Sequence, residues 1–137
     1  MAMPHERDEN RNFIMAKYYP YSRQHAPSST LTTNVADMLK WGRFNLDRKA
    51  FSDETYDKMW QDYATVPNNG EKMGLGWFMR EQDGHHLIGH EGTDIGFRDS
   101  FWMCPEMDMT IAVLSNVSAA PVKRINKAAF EEVTRSL

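Results

Sequence analysis

His86-Leu87-Ile88-Gly89-His90-Glu91-Gly92-Thr93-Asp94-Ile95-Gly96-Phe97-Arg98-Asp99-Ser100-Phe101-Trp102-Met103 is the stretch whose reading decides the fold. Asp83-Gly84, just upstream, is the signal of a tight two-residue hairpin. Residues 86–90 therefore read as the returning strand. Gly92 to Gly96 reads as a glycine-bounded turn. From Phe97 to Met103 large apolar and polar residues alternate. That period of two puts Phe97, Asp99, Phe101 and Met103 on one face of a second strand.

Working outward, residues 74–80 read as the strand that enters the hairpin. Downstream, Pro105-Glu106 fits a type I turn. Residues 109–114 are a β-rich run, and their near-continuous apolar character predicts burial on both faces. Asn116 ends it. Pro121 suits a first helical turn, and Val122, Ile125, Ala129 and Val133 form the apolar stripe of a terminal helix.

Upstream, Thr32-Thr33-Asn34 offers N-cap candidates for a helix ending near Leu46 or Asp47. Its apolar face would use positions 35, 38, 39, 42 and 46. Ser52-Asp53-Glu54-Thr55 has the form of a capping box with threonine in place of glutamate. It predicts a second helix over 53–63 whose buried side uses Tyr56, Met59, Trp60 and Tyr63. Pro67-Asn68-Asn69-Gly70 is a loop by composition.

Residues 1–24 read as an irregular N-terminal segment, with 25–137 as the folded part. Tyr18-Tyr19-Pro20-Tyr21 is aromatic enough to pack against something. The sum is an α+β domain: an antiparallel sheet of three to four strands, a C-terminal helix packed on it, and two helices preceding.

Composition narrows the function classes. The 137 residues carry 16 Lys and Arg against 19 Asp and Glu, a formal charge of −3, which lacks the basic face that nucleic acid requires. No apolar run approaches the ~20 residues of a membrane span, and residues 1–10 hold no apolar signal-peptide core. The compartment stays undetermined. Cys104 is the single cysteine, so no intrachain disulfide forms; it reads as a buried small hydrophobe near a strand end.

His90-Glu91-Gly92-Thr93-Asp94-Ile95-Gly96-Phe97-Arg98 is followed by the Pro105-Glu106 turn, the run Ile111-Ala112-Val113-Leu114-Ser115-Asn116, and a helix. This order resembles the C-terminal part of the serine β-lactamase and penicillin-binding-protein superfamily, and within it class C β-lactamases and the related esterases and peptidases. Residues 25–38 and Gly74-Leu75-Gly76-Trp77 resemble the family's segments before this sheet.

The resemblance implies a partial β-lactamase/transpeptidase-like fold. It aligns His90-Glu91-Gly92 with the family's third motif, Lys-Thr-Gly or His-x-Gly. His90 then takes a supporting catalytic position, and Gly92 and Thr93 line the substrate and oxyanion side, Thr93 through its backbone N–H. Physical chemistry agrees on each residue. Histidine is tunable near neutral pH, glycine admits close approach, and a fixed N–H at a developing oxyanion stabilises the transition state by ~3 kcal/mol.

The implied parent reaction is hydrolysis of an ester, amide or lactam through an acyl-serine, on a small-molecule acyl substrate. No metal and no organic cofactor is implied.

The family's other two motifs are absent. No serine here has lysine at i+3, and no tyrosine or serine has asparagine at i+2. In family members both motifs precede this region, so the chain reads as a C-terminal fragment, inactive alone for want of an activated nucleophile. Without the family's N-terminal strands, the strand over 109–115 would have an open edge. The expected cover is a second copy in a homo-oligomer, the missing N-terminal half, a swapped segment, or the aromatic stretch at 18–21.

The rival reading is a non-catalytic interaction or dimerisation module on the same fold. His85, His86, His90 and Glu91 do not have the spacing of a zinc site. The four tryptophans read as core or domain contacts. Arg98 could bind a substrate carboxylate or pair with Asp94 or Asp99.

Overall fold

The computed structural model describes residues 2–17, 25–26, 31–67 and 69–136. The aromatic stretch at 18–21 lies outside the described residues. Eight strands and three helices follow in order: β1 (His5–Arg7), β2 (Phe13–Met15), α1 (Val35–Leu46), α2 (Asp53–Met59), β3 (Ala64–Thr65), β4 (Lys72–Met73), β5 (Phe78–Gln82), β6 (His85–Asp94), β7 (Phe97–Cys104), β8 (Met109–Ser115) and α3 (Val122–Arg135). Strands β3 to β8 form one antiparallel sheet in sequence order. The sheet thus has six strands rather than three or four. The extra two are the short arms flanking the 67–70 loop, too brief to show a period.

The hairpin at Asp83-Gly84 is tight because both residues take positive φ, 52° and 81°. This is the mirror-image geometry that matches strand twist. Strand β6 then runs four residues past His90, to Asp94. Gly92 and Thr93 therefore lie inside a strand rather than in a turn. Only Ile95-Gly96 turns, with the Gly96 amide bonded to Ser118 Oγ at 2.9 Å. Strand β5 begins at Phe78 and not at Gly74, because Gly74 and Gly76 bend the chain. A Cβ on Gly74 would meet the Met59 carbonyl.

Helix α1 is capped by Asn34, whose side chain accepts from the Asp37 amide at 3.1 Å. Helix α2 is capped by Ser52 through the Thr55 amide. It ends at Met59, short of Tyr63, because the chain swings away to pair with β4: the Tyr63 amide donates to the Met73 carbonyl. Tyr63 is consequently exposed.

The sheet is covered on both faces. One face packs Trp77, Met79, Ile88, Phe101 and Met103 against Met38 and Leu46 of α1 and Met59 and Trp60. The other packs Leu87, Trp102 and Cys104 against Phe130 of α3. Full burial of a side chain such as Phe130 contributes about 1.5–3 kcal/mol. Trp77 and Trp102 are core, whereas Trp41 is exposed and stacks on Phe44.

The buried face of α3 is Val122, Asn126 and Phe130, an i, i+4, i+8 row. Ile125 and Val133 of the expected stripe are exposed. Asn126 turns inward because two strand carbonyls meet it: its amide donates to Ser100 O and Ile111 O, each at 3.2 Å.

Strand β8 is half-buried along its whole length rather than buried on both faces. Among the described residues it pairs only with β7. Within the N-terminal segment, residues 5–15 are not irregular. They form the β1–β2 hairpin, closed by Asp8, whose carboxylate accepts from the Asn12 amide at 2.8 Å. This hairpin grips the molecule just beyond β8: His5 N–H donates to Asn116 O, and Ser118 N–H to His5 O.

Candidate active site

Strand β6 has two unlike halves. From His85 to Gly89 it pairs with β5 on one side. From Ile88 to Asp94 it pairs with β7 on the other. Because β5 starts at Phe78, opposite Gly89, residues His90 to Asp94 have no strand on that side among the described residues. His90 is the first residue of the uncovered half, and its side chain is exposed.

The His90 ring sits 4.8 Å from the Phe78 ring, and its Nδ1 lies 2.9 Å from the Glu91 carbonyl. A nitrogen bonded to a carbonyl must carry the proton. In the neutral ring that leaves Nε2 as an acceptor. His90 is thereby oriented, and its Nε2 has no hydrogen-bond partner among the described residues.

Gly92 stands opposite Asp99 on β7. A Cβ at 92 would run into the Asp99 carboxylate, so the space over the glycine is held by that side chain. Burial pushes the Asp99 carboxyl above its ordinary range, with Glu91 adding to the rise and His90 and the Gly92 amide opposing it. Thr93 is exposed and stands opposite Arg98.

Glu91 points to the other face, as strand alternation requires. There it accepts from Trp102 Nε1 at 3.3 Å and lies 3.7 Å from Arg80 and 3.8 Å from Lys123. Arg80 is largely enclosed and stacks over Trp102 at 3.9 Å. These contacts tie β5, β6, β7 and α3 together. Arg98 faces away from Asp99 and donates to Ser118 O at 3.5 Å; among the described residues it forms no ion pair.

The histidines weighed for a metal are dispersed. His86 turns to Glu81 at 2.8 Å, and His85 to Glu106 at 3.1 Å. Two features escaped sequence reasoning: the Asp99 carboxylate on Gly92, and the approach of His85 and Glu106 to Cys104. Both follow from the β6–β7 register, which fixes residue numbers across the pair once β6 is seen to continue past His90.

An apolar depression of about 430 Å³ on the outer side of α1, lined by Ala36, Leu39, Lys40, Arg43, Phe44 and Lys49, contains none of the residues just described. No helix among the described residues is long and apolar enough to cross a membrane.

No curated protein matches the chain. Among solved structures it is similar to an octameric penicillin-binding protein homologue from Pyrococcus abyssi, with 25% identity and a TM-score of 0.83 over 97% of this chain and 30% of that one. A D-stereospecific amidohydrolase from Streptomyces shares the fold, with 14% identity and a TM-score of 0.67 over 91% of this chain and 37% of that one. The chain thus spans about a third of the length of either. The beta-lactamase family model matches residues 1–134, and the chain belongs to that family.

Proposed function

We propose that this chain supplies one wall of an acyl-transfer site in a β-lactamase-like serine hydrolase, with the nucleophile coming from a segment outside these residues. The observation that carries the reading is the uncovered half of β6. An acyl substrate laid along it would meet His90 first, then the strand backbone at Gly92 and Thr93.

In the implied reaction a serine oxygen attacks an ester, amide or lactam carbonyl carbon. The bond to the leaving group breaks, and water then releases the acyl group. The Thr93 N–H is the proposed oxyanion donor. Nε2 of His90 is the proposed hydrogen-bond partner of the nucleophile's surroundings or the leaving group. Gly92 lets Asp99 lie close to the strand.

The pure chain should not turn over nitrocefin or a chromogenic ester. Supplied with a segment carrying Ser-x-x-Lys and Tyr-x-Asn, it should gain turnover that falls ~10²-fold or more in His90→Ala. Turnover by the chain alone would overturn the reading. So would a reconstituted activity indifferent to His90.

A second reading, an interaction module, is favoured by one observation: β8 presents an apolar edge with no strand beside it among the described residues. Such edges invite pairing, and the Pyrococcus homologue is octameric. Sedimentation should then show an assembly larger than one chain. A monomer at all concentrations would count against this second reading.

A further inference from the structure

We propose a divalent-metal site, of the kind that takes zinc, at the end of the sheet remote from His90, built by His85, Cys104 and Glu106. His85 opens β6, Cys104 closes β7, and Glu106 sits in the short 3-10 turn Pro105–Met107 that follows. One ligand atom from each lies within 4.8 Å of the other two. The His85 and Glu106 atoms are already 3.1 Å apart. Ligand atoms around a tetrahedral zinc stand ~3.3–3.6 Å from one another, given bonds of about 2.0–2.3 Å. Closing the widest separation in the cluster to that spacing needs movement of about 1 Å.

Imidazole, thiolate and carboxylate together are a borderline ligand set that suits zinc better than magnesium or calcium. Three protein ligands leave a fourth position for water. Glu106 and His85 face solvent and provide the way in, while Cys104 forms the buried floor.

Two further features prepare the site. The Cys104 sulfur sits at the start of the Pro105–Met107 turn, whose Glu106 and Met107 amides favour the thiolate. Donors aimed at a ligand atom are what orients and stabilises a coordinating thiolate. The His85 ring is braced edge-on against Phe130, 5.9 Å between centroids. Without a cation, burial disfavours the thiolate and Cys104 stays a thiol. Metal binding would transfer the thiol proton to solvent and place the dication's charge beside the new thiolate.

Such a site would staple the β5–β6 hairpin to the β7–β8 turn. It stands independently of the proposed acyl-transfer wall.

Cobalt(II) titration of the whole chain tests the proposal. One equivalent should bind and give a thiolate-to-cobalt charge-transfer band, and zinc should displace it. Cys104→Ser should abolish the band. His85→Ala and Glu106→Gln, both at partly exposed positions, should weaken binding at least tenfold while far-UV circular dichroism stays unchanged. His86→Ala should bind as the wild type does, since His86 faces Glu81. Should Cys104→Ser fail to fold, the band in the wild type and the other variants decide. Absence of bound cobalt, or binding without the charge-transfer band, would overturn the proposal. So would a band unmoved by His85→Ala and Glu106→Gln.

Discussion

The two halves of β6 share one strand and one partner, β7, yet they meet opposite conditions. Leu87, Ile88 and Gly89 are buried between β5 and β7 and between two layers of helices. His90 and Thr93 are exposed, on a stretch that β5 does not reach. The first half is held by apolar packing, the second by the β7 ladder and the polar contacts of Glu91. Substitutions should therefore unfold the molecule in one half and leave it standing in the other. Stability and chemistry are separated along ten residues of the same strand.

The sharpest contrast lies between two glycines. A Cβ on Gly89 would collide with the Phe101 carbonyl and with Trp102, neither of which can yield without moving the core. Gly89→Ala should cost about 1–3 kcal/mol, seen as a lowered urea midpoint. Asn126→Ala tests the helix that backs this half. It strips the Ser100 and Ile111 carbonyls of their side-chain donor and should cost about 1–3 kcal/mol in the same assay.

Gly92→Ala meets only the Asp99 carboxylate, the end of a side chain that can swing aside. Its cost should be clearly smaller than that of Gly89→Ala, about 1 kcal/mol or less. Equal losses at the two glycines would break the distinction between the halves.

Asp99 adds a dependence on pH. Its folded carboxyl is pushed above the ordinary value, mainly by burial. The folded state therefore binds the proton more tightly than the unfolded one. The resulting stabilisation is complete below the unfolded carboxyl range and is lost as pH rises through the folded value. Asp99→Asn should flatten that decline and leave the protein no less stable at neutral pH. The gain should stay under about 1 kcal/mol, because the site is partly solvated. Urea midpoints of both proteins from pH 3 to 7 check the sign. His90→Ala should have the smallest effect, within about 0.5 kcal/mol, since the side chain is exposed.

Much of this was legible in sequence because local chemistry agreed with the fold. Asn34 and Ser52 cap the helices where capping rules put them. Asp83-Gly84 turns the hairpin with positive φ at both residues. Strand alternation correctly sent Glu91 away from His90.

The misreadings share a cause, which is that tertiary partners decide what local pattern leaves open. Asn126 lies outside the apolar stripe read for the last helix, yet two strand carbonyls draw it inward. Gly92 reads as a turn residue until Asp99 on β7 is seen to need its missing side chain. The strands β1 to β4 are two or three residues long, below the length at which period two can be detected. The approach of His85 to Cys104 and Glu106 depends on the β6–β7 register, which no local pattern fixes.

Amide hydrogen exchange along β6, resolved residue by residue, tests the open wall most directly. Leu87, Ile88 and Gly89 should exchange only through global unfolding. Amides in the 91–94 stretch that do not point at β7 or Asp99 should exchange many times faster, with no denaturant dependence. Uniform protection from His86 to Asp94 would mean that something already covers the second half, and no substrate could be laid against it.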